Sequence, residues 1–544
     1  MMGCRKPIDL WSPDVHPRTR AAWSRHLRRT INNPEELRVR LGRDSLAVAF
    51  AATAARRPSH ATLRIGGAEV TTGELDRLAS LVGGGLRGLG VGPGAAVLLS
   101  ASNSLDVVVA YLGILRTGAA VVLAGPGDHP AELSRMIEDA DASFAVATGA
   151  ILSGLGEANR TVDIAIGLGT EDHGSADVVL ADLMAQGQAI DPALVDPDAP
   201  ALYAFTSGTT GRPKCTPLSH RNLLASIRGA MWAWRWTQED VMLHALPLSH
   251  QHGLGGLHAT LLAGSRAVIM TRFESGSLIE ALEREAPSVF LAVPAIYQRL
   301  VSELDADGWR AFRSVRLMTS GSAPLPPSLA EEVQARTDRL PLERYGLTET
   351  GLDVSTPYDG PNLPGMVGLP LPGVELAVVD EALSPVEDGK PGEILFRGPQ
   401  VFPGYRNDPE ATAAAFIGAW FRTGDIGVVN REGGYLRLVG RTKELIISGG
   451  FNVYPREVEQ ALVALPGVVD AAVVGVPSEA WGEEVVAFVV PAAGTTLDAP
   501  SVGSQLEVAR FKRPRRVFVV DEIPRDAVGK ALRETLAAWA DEEP

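Results

Sequence analysis

Two five-residue runs in the first quarter of the chain, Ala95-Ala96-Val97-Leu98-Leu99 and Ala119-Ala120-Val121-Val122-Leu123, contain no polar side chain. A strand with one face in water alternates apolar and polar residues. An unbroken apolar run needs an apolar layer against both faces. Leu75, Leu78, Leu81 and Leu86 recur near helical spacing just before these runs, so helices alternate with buried strands. That alternation predicts an α/β fold with packed, mostly parallel sheets. A chain of 544 residues also exceeds what one core supports, and at least two domains are expected. Near the C-terminus, residues 453–465 read as a helix, and Ala471-Ala472-Val473-Val474 and Val485-Val486-Ala487-Phe488-Val489-Val490 as strands. They make a compact α+β unit of about 100 residues.

Composition excludes several function classes. A net charge of −15 argues against nucleic-acid binding, which leaves a basic footprint. The greasiest region, residues 105–125, carries Asp106 and Arg116 and reads as a buried helix and strand, with no membrane span. Cys4 and Cys215 are too few and too far apart for a disulfide framework or a cysteine-based zinc site. No apolar run follows the N-terminal cations, so no signal peptide is read and a cytoplasmic address is expected. Residues 1–45 are rich in Arg and Pro, with a weak helical pattern from 21 to 40 that Pro34 interrupts. They are expected to lie on the main body as an extension. The oligomeric state stays open.

Chemistry concentrates in Tyr203-Ala204-Phe205-Thr206-Ser207-Gly208-Thr209-Thr210-Gly211-Arg212-Pro213-Lys214. Thr206, Ser207, Thr209 and Thr210 supply hydroxyl donors. Gly208 and Gly211 let backbone N–H groups approach a ligand, and Lys214 adds a point charge. This is a cradle for a polyphosphate, most simply ATP, although a solvated linker shares the composition. It is not a Walker A loop, because Pro213 and Cys215 stand where that motif needs Gly and Ser/Thr.

The stretch resembles the phosphate-loop signature of the adenylate-forming enzymes, the superfamily of acyl- and aryl-CoA synthetases, luciferases and peptide-synthetase adenylation domains. Four more of that family's segments follow in order: Tyr345-Gly346-Leu347-Thr348-Glu349-Thr350; Phe421-Arg422-Thr423-Gly424-Asp425; Gly440-Arg441-Thr442-Lys443-Glu444 with Ser448-Gly449-Gly450-Phe451-Asn452; and Pro524-Arg525-Asp526-Ala527-Val528-Gly529-Lys530. The resemblance implies ATP-dependent conversion of a carboxylic acid to an acyl-adenylate, release of pyrophosphate, and transfer of the acyl group to CoA. It also implies an N-terminal extension (1–45), a large adenylating domain (46–442) and a small mobile lid domain (443–544) hinged at Lys443.

Site roles follow from the same resemblance. Gly321, Ser322 and Ala323 line the adenine, Tyr345 stacks on it, and its neighbours Arg344 and Gly346 are expected to bind ATP with it. Glu349 holds Mg²⁺ against the ATP phosphates, and Thr348 donates to the phosphate or the adenylate. Asp425 takes the ribose hydroxyls, and Arg441 reaches the ribose or a phosphate. His250 stands between acyl pocket and nucleotide. Lys530 bridges the carboxylate and the α-phosphate, and is withdrawn when the lid rotates. Gly449 and Gly450 then admit the pantetheine arm of CoA. His244, His250, His252 and His258 also cluster, but their spacing fits no common zinc signature.

Within the superfamily the chain is most similar in look to malonyl-CoA synthetases, on Trp234-Arg235-Trp236-Thr237-Gln238-Glu239-Asp240-Val241, Leu248-Ser249-His250-Gln251-His252-Gly253-Leu254 and Glu343-Arg344-Tyr345-Gly346. Arg299 then matches the arginine that pairs with the distal carboxylate of a dicarboxylic acid, a geometry suited to a guanidinium. Three positions depart from the pattern. Ser249 replaces an aromatic residue, Asp353 replaces an Asn and adds an anion expected to repel a second carboxylate, and Cys215 replaces a Gly. They point to a shifted acid or acceptor. Three readings stay open at this stage: an acid–CoA ligase, an adenylating ligase that serves another nucleophile (an amine, a carrier-protein thiol or nitrite), and a non-catalytic binding protein that holds ATP without turning it over.

Overall fold

The computed structural model describes residues 15, 17–27, 34–41, 44–157, 162–169, 173–206, 213–448, 451–478, 480–506, 508–525 and 531–542. The two apolar runs become adjacent parallel strands, Ala96–Ser100 and Ala120–Ala124, with every residue buried. They sit in a seven-stranded sheet that runs Val178–Val179, Ile164–Leu168, Phe144–Thr148, Ala96–Ser100, Ala120–Ala124, Pro200–Thr206, Lys214–Ser219. Its last pair alone is antiparallel.

A nine-stranded sheet forms the second half of the large domain. Its middle is parallel, in the order Leu342–Tyr345, Leu317–Ser320, Val289–Ala292, Val241–His244, Arg266–Ile269, Ala61–Ile65. Short antiparallel strands close both edges. The helix Leu105–Thr117 is buried from Val107 onward on every side. An all-round apolar helix has no solvent face, and this one packs on Thr72–Gly88 within the core shared by the two sheets. The helices touch closely at Gly113, where a Cβ would lie 2.6 Å from Val82 Cγ1.

A five-stranded antiparallel sheet (Glu375–Val379, Pro391–Arg397, Phe416–Ile417, Trp420–Val429 and Leu436–Arg441) completes the large domain. Beyond it the chain builds a smaller, mainly antiparallel sheet with its own apolar clusters. Its long strands Val468–Ser478 and Gly482–Pro491 and its helix Pro455–Val463 contain the segments expected there, with longer strands and a shorter helix. The α/β large domain and small C-terminal domain therefore match the expected fold class.

The N-terminal region differs in one respect. Pro34 opens the helix Pro34–Leu41 and does not interrupt a longer one, because the first helical position has no N–H to satisfy. Together with the helix Pro17–His26 it straps the large domain. Trp23 is 1% exposed and donates its indole N–H to Val374 O at 3.1 Å, and Leu37 and Leu41 pack with Ala225. Among the described residues no helix is long and apolar enough to cross a membrane.

Candidate active site

The strands Pro200–Thr206 and Lys214–Ser219 pair so that Thr206 faces Lys214, clamping the two ends of the hydroxyl-rich stretch together. The Lys214 backbone N–H donates to Thr206 Oγ1 at 3.4 Å. Ser207, Gly208, Thr209 and Thr210 lie outside the described residues, as do Gly449, Gly450 and Lys530. Lys214 Nζ stands 4.7 Å from the ring centre of Tyr405, whose O–H donates to Glu349 Oε1 at 2.7 Å. One aromatic ring thus holds the cation and the carboxylate at opposite ends. The next residue ties this arrangement to the hairpin. Arg406 N–H donates to Cys215 O at 2.9 Å and its Nη1 to Tyr203 Oη at 3.0 Å. Cys215 itself is core, and burial pushes its thiol up to about 12, so it carries no thiolate.

Glu349 sits on the turn after Leu342–Tyr345. That turn is tight at Gly346, where a Cβ would lie 1.9 Å from Gly351 O, so only glycine fits. Burial raises the Glu349 carboxyl above its usual range, and the Tyr405 hydrogen bond opposes the rise. A cavity-facing carboxylate beside the phosphate-loop cation suits Mg²⁺, which takes one or two protein oxygens and completes its octahedron with water and substrate phosphates. Among the described residues no group of three His, Cys, Asp or Glu is gathered for a metal cage, so the residues present fit an ion shared with a nucleotide.

Asp425 and Arg441 face each other on paired strands, Arg441 in the cavity wall and Asp425 buried behind it, outside the lining. Arg441 Nε lies 2.9 Å from Asp425 Oδ1, and Tyr345 O–H donates to Asp425 Oδ2 at 2.5 Å. Each carboxylate oxygen keeps a lone pair free for a hydroxyl. Tyr345 departs from the expected stacking role. Its ring is buried against Phe396, and its neighbours Arg344 and Gly346 line the cavity in its place. The alternation of the strand puts the tyrosine on the core side.

The cavity has a volume of about 860 Å³, and Lys214, Ser322, Arg344, Thr348, Glu349, Arg441 and Lys443 are among its lining residues. Of the four histidines, His244 is structural, bonded to Gly253 O at 2.6 Å. His250, His252 and His258 line the cavity with Ser249, and His258 is bonded to Tyr111 Oη at 2.7 Å. Gly321 and Ala323 are not in the lining, although Ser322 between them is.

Two acid-pocket expectations are corrected. Arg299 is not brought to the cavity. Its side chain is 50% exposed, pairs with Glu303 Oε1 at 2.7 Å one helical turn on, and covers the Phe273 ring. Asp353 does not face an acid either. It is fully buried, accepts from Thr350 Oγ1 and from Gln400 Nε2 at 3.0 Å, and burial pushes its carboxyl up to about 7. Tyr405 is the residue that sequence reasoning missed. Its signal, one aromatic after Gly404, is too common to single out.

This constellation on this fold defines the class. The model of the AMP-binding enzyme family matches residues 50–406, and that of the AMP-binding enzyme C-terminal domain matches 457–530. The chain belongs to the AMP-binding enzyme family, with the two-domain build of its acyl-CoA synthetase members. It is 39% identical to the mitochondrial malonate–CoA ligase ACSF3 of Mus musculus over 379 residues, 62% of this chain and 64% of that protein. It is 33% identical to an oxalate–CoA ligase of Arabidopsis thaliana over 466 residues, 84% of this chain and 90% of that one. It also resembles the ATP-bound crystal structure of MatB from Rhodopseudomonas palustris, with a TM-score of 0.84 at 35% identity over 90% of this chain and 99% of that one.

Proposed function

We propose that this protein is an AMP-forming ligase that joins a short carboxylic acid, of the malonate and oxalate kind, to CoA. The observation that carries the reading is the set Lys214–Tyr405–Glu349 in the wall of one cavity, with Arg441 in the same wall and Asp425 paired to it from behind. It offers a phosphate cation, a magnesium carboxylate and a ribose acceptor. The names of the malonate–CoA and oxalate–CoA ligase relatives support the acid class and CoA as acceptor.

A carboxylate resists acyl transfer because its leaving group would be oxide. In the proposed first step an oxygen of the acid attacks the α-phosphorus of ATP, the bond to the β,γ-phosphates breaks, and acyl-adenylate and pyrophosphate form. Lys214, with Lys530 proposed to join it, offsets the charge that gathers on the phosphates. Mg²⁺, when bound, neutralises the phosphates, and Glu349 is the residue that would hold it. Asp425, Arg441 and Thr348 fix the nucleotide so that reaction becomes effectively unimolecular. In the second step the CoA thiolate attacks the acyl carbon and AMP leaves. For this step we propose that the small domain turns about Lys443 and brings in Gly449 and Gly450. The two-cysteine composition supports a reducing compartment, and we propose the cytoplasm.

The test is acid-dependent ATP–pyrophosphate exchange with malonate, oxalate, methylmalonate, short fatty acids and aryl acids, followed by addition of CoA to each active acid. Exchange with a short acid and a CoA-dependent thioester is the expected outcome. Exchange with no thioester would refute the CoA step, and exchange with aryl acids alone would refute the acid class.

A further inference from the structure

The main cavity has a small apolar chamber behind its wall, with a volume of about 10 Å³. Leu99 on the strand Ala96–Ser100, Val108 and Tyr111 on the helix Leu105–Thr117, and Leu257 on the helix Gln251–Ala263 enclose it. Leu123, Ser249 and Leu254 belong to the walls of both hollows. A hydrogen-bonded pair completes the partition, since Tyr111 Oη lies 2.7 Å from Nε2 of His258, which lines the main cavity. Leu123 and Leu254 are buried, and Ser249 is half-buried with the shortest side chain of the three. The partition is therefore thinnest at Ser249.

A volume of this size holds about one water or one methyl group. Water needs several polar partners, and this chamber supplies few. Tyr111 Oη is taken by His258, and burial holds that imidazole down to about 3, so the partition carries no charge. The other walls are Leu, Val and Ala apart from the Ser249 hydroxyl. Left unfilled, the chamber forfeits dispersion contacts that an apolar group would restore. Its size is also fixed. Val108 is fully buried on a helix packed against Thr72–Gly88, where a Cβ on Gly113 would lie 2.6 Å from Val82 Cγ1. A wall packed that closely does not yield to a larger guest.

We propose that Ser249 is a specificity-determining residue, the doorway through which the chamber receives a methyl branch on the carbon next to the activated carboxyl. The inference rests on the acid-activating function proposed above and narrows its substrate class to short acids with one such branch. Ser249 immediately precedes His250, the residue that the resemblance places between acid and nucleotide. A substituent that reaches the doorway therefore leaves from close to the reacting carboxylate. Burial of one methyl group favours the branched acid about fourfold. An ethyl branch exceeds the chamber, and a larger side chain at position 249 would block its mouth.

The experiment measures ATP–pyrophosphate exchange with malonate, methylmalonate and ethylmalonate, which differ by one carbon each at the position in question. Wild type, Ser249→Leu, Val108→Ile and Val108→Ala are compared. Wild type is expected to favour methylmalonate about fourfold over malonate and about 10-fold over ethylmalonate in kcat/KM. Ser249→Leu blocks the doorway and should lower the methylmalonate-to-malonate ratio about 10-fold. Val108→Ile fills the chamber from a wall that the main cavity does not share. It should lower the same ratio, which carries the test if Ser249→Leu fails to fold. Val108→Ala deepens the chamber and should move the preference from methyl toward ethyl, a shift that a merely structural role would not produce. A ratio unmoved by Ser249→Leu and Val108→Ile overturns the proposal. So does a wild type that prefers malonate to methylmalonate, or takes ethylmalonate as readily as methylmalonate. If no acid supports exchange, the ligase function fails, and calorimetric titration of malonate and methylmalonate into wild type and Ser249→Leu decides the chamber separately. Tighter binding of methylmalonate that the variant loses upholds it, and equal or absent binding overturns it.

Discussion

Asp353→Asn isolates the cost of one buried acid beneath the catalytic turn. Asp353 has no exposed surface, and burial pushes its carboxyl up to about 7 from its ordinary 3.8, with Glu349 adding to the rise. The sign follows from linkage: a carboxyl raised in the native state binds protons that the unfolded chain has released. Its stabilising effect is complete below the unfolded value and is lost as pH rises from about 4 through 7. At ~1.36 kcal/mol per pH unit, a shift of about three units makes the ionised side chain cost ~4 kcal/mol above pH 7. Asparagine avoids that cost and keeps both partners, accepting from Gln400 and donating to Thr350. For a domain of roughly 400 residues, whose unfolding entropy is ~0.8 kcal/mol per degree, the variant should melt ~5 °C higher at pH 8. At pH 4 the two proteins should melt within about a degree of each other. Differential scanning at the two pH values makes the comparison. Equal shifts at both, or a variant less stable at pH 8, would refute the assignment of a buried, late-titrating Asp353.

Tyr405→Phe keeps the ring beneath Lys214 and removes the hydrogen bond that holds Glu349 down. The acidic limb of the kcat/KM profile for exchange should move to higher pH, with a loss of activity that is largest at acidic pH and shrinks as pH rises. Lys530→Ala should abolish exchange yet leave thioester formation from a supplied acyl-adenylate within about threefold, read by CoA consumption. Lys443→Pro, which fixes φ at the proposed pivot, should spare one half-reaction and slow the other by ~10-fold or more, and equal loss of both would remove Lys443 as the hinge.

The parts of this molecule written in local pattern were legible before the fold was known. The polar-free runs at 95–99 and 119–123 gave buried parallel strands because nothing but a two-sided apolar layer accepts them. Ser219, a residue type that favours the cap position, caps the helix His220–Ala233 by accepting from Asn222 N–H at 3.1 Å. What stayed hidden depends on which face of an element meets the cavity. Arg299 and Arg344 are both arginines on regular elements, and sequence alone does not tell which one turns inward. Arg299 has Glu303 four residues on and needs no other partner. Tyr345 and Arg344 are adjacent, and strand alternation sends one to the core and the other to the ligand wall. Tyr405 acts through two residues 56 and 191 positions away in sequence, a separation at which no periodicity speaks.

The same alternation bears on how the two domains communicate. Glu343 points away from the cavity toward Arg456, the second residue of the first helix of the small domain. Burial pushes Glu343 up to about 7, and Arg456 opposes the rise. A rotation of the small domain that carries Arg456 off would leave this acid with the backbone N–H groups of Gly365 and Leu325, and the carboxyl would then take up a proton more readily. Arg344 and Glu343 are neighbours on one strand, so the cavity wall and a contact with the small domain are two faces of a single two-residue segment. Moving Arg456 would act on that segment through the balance of Glu343 between Arg456 and a proton, with no large movement of the strand.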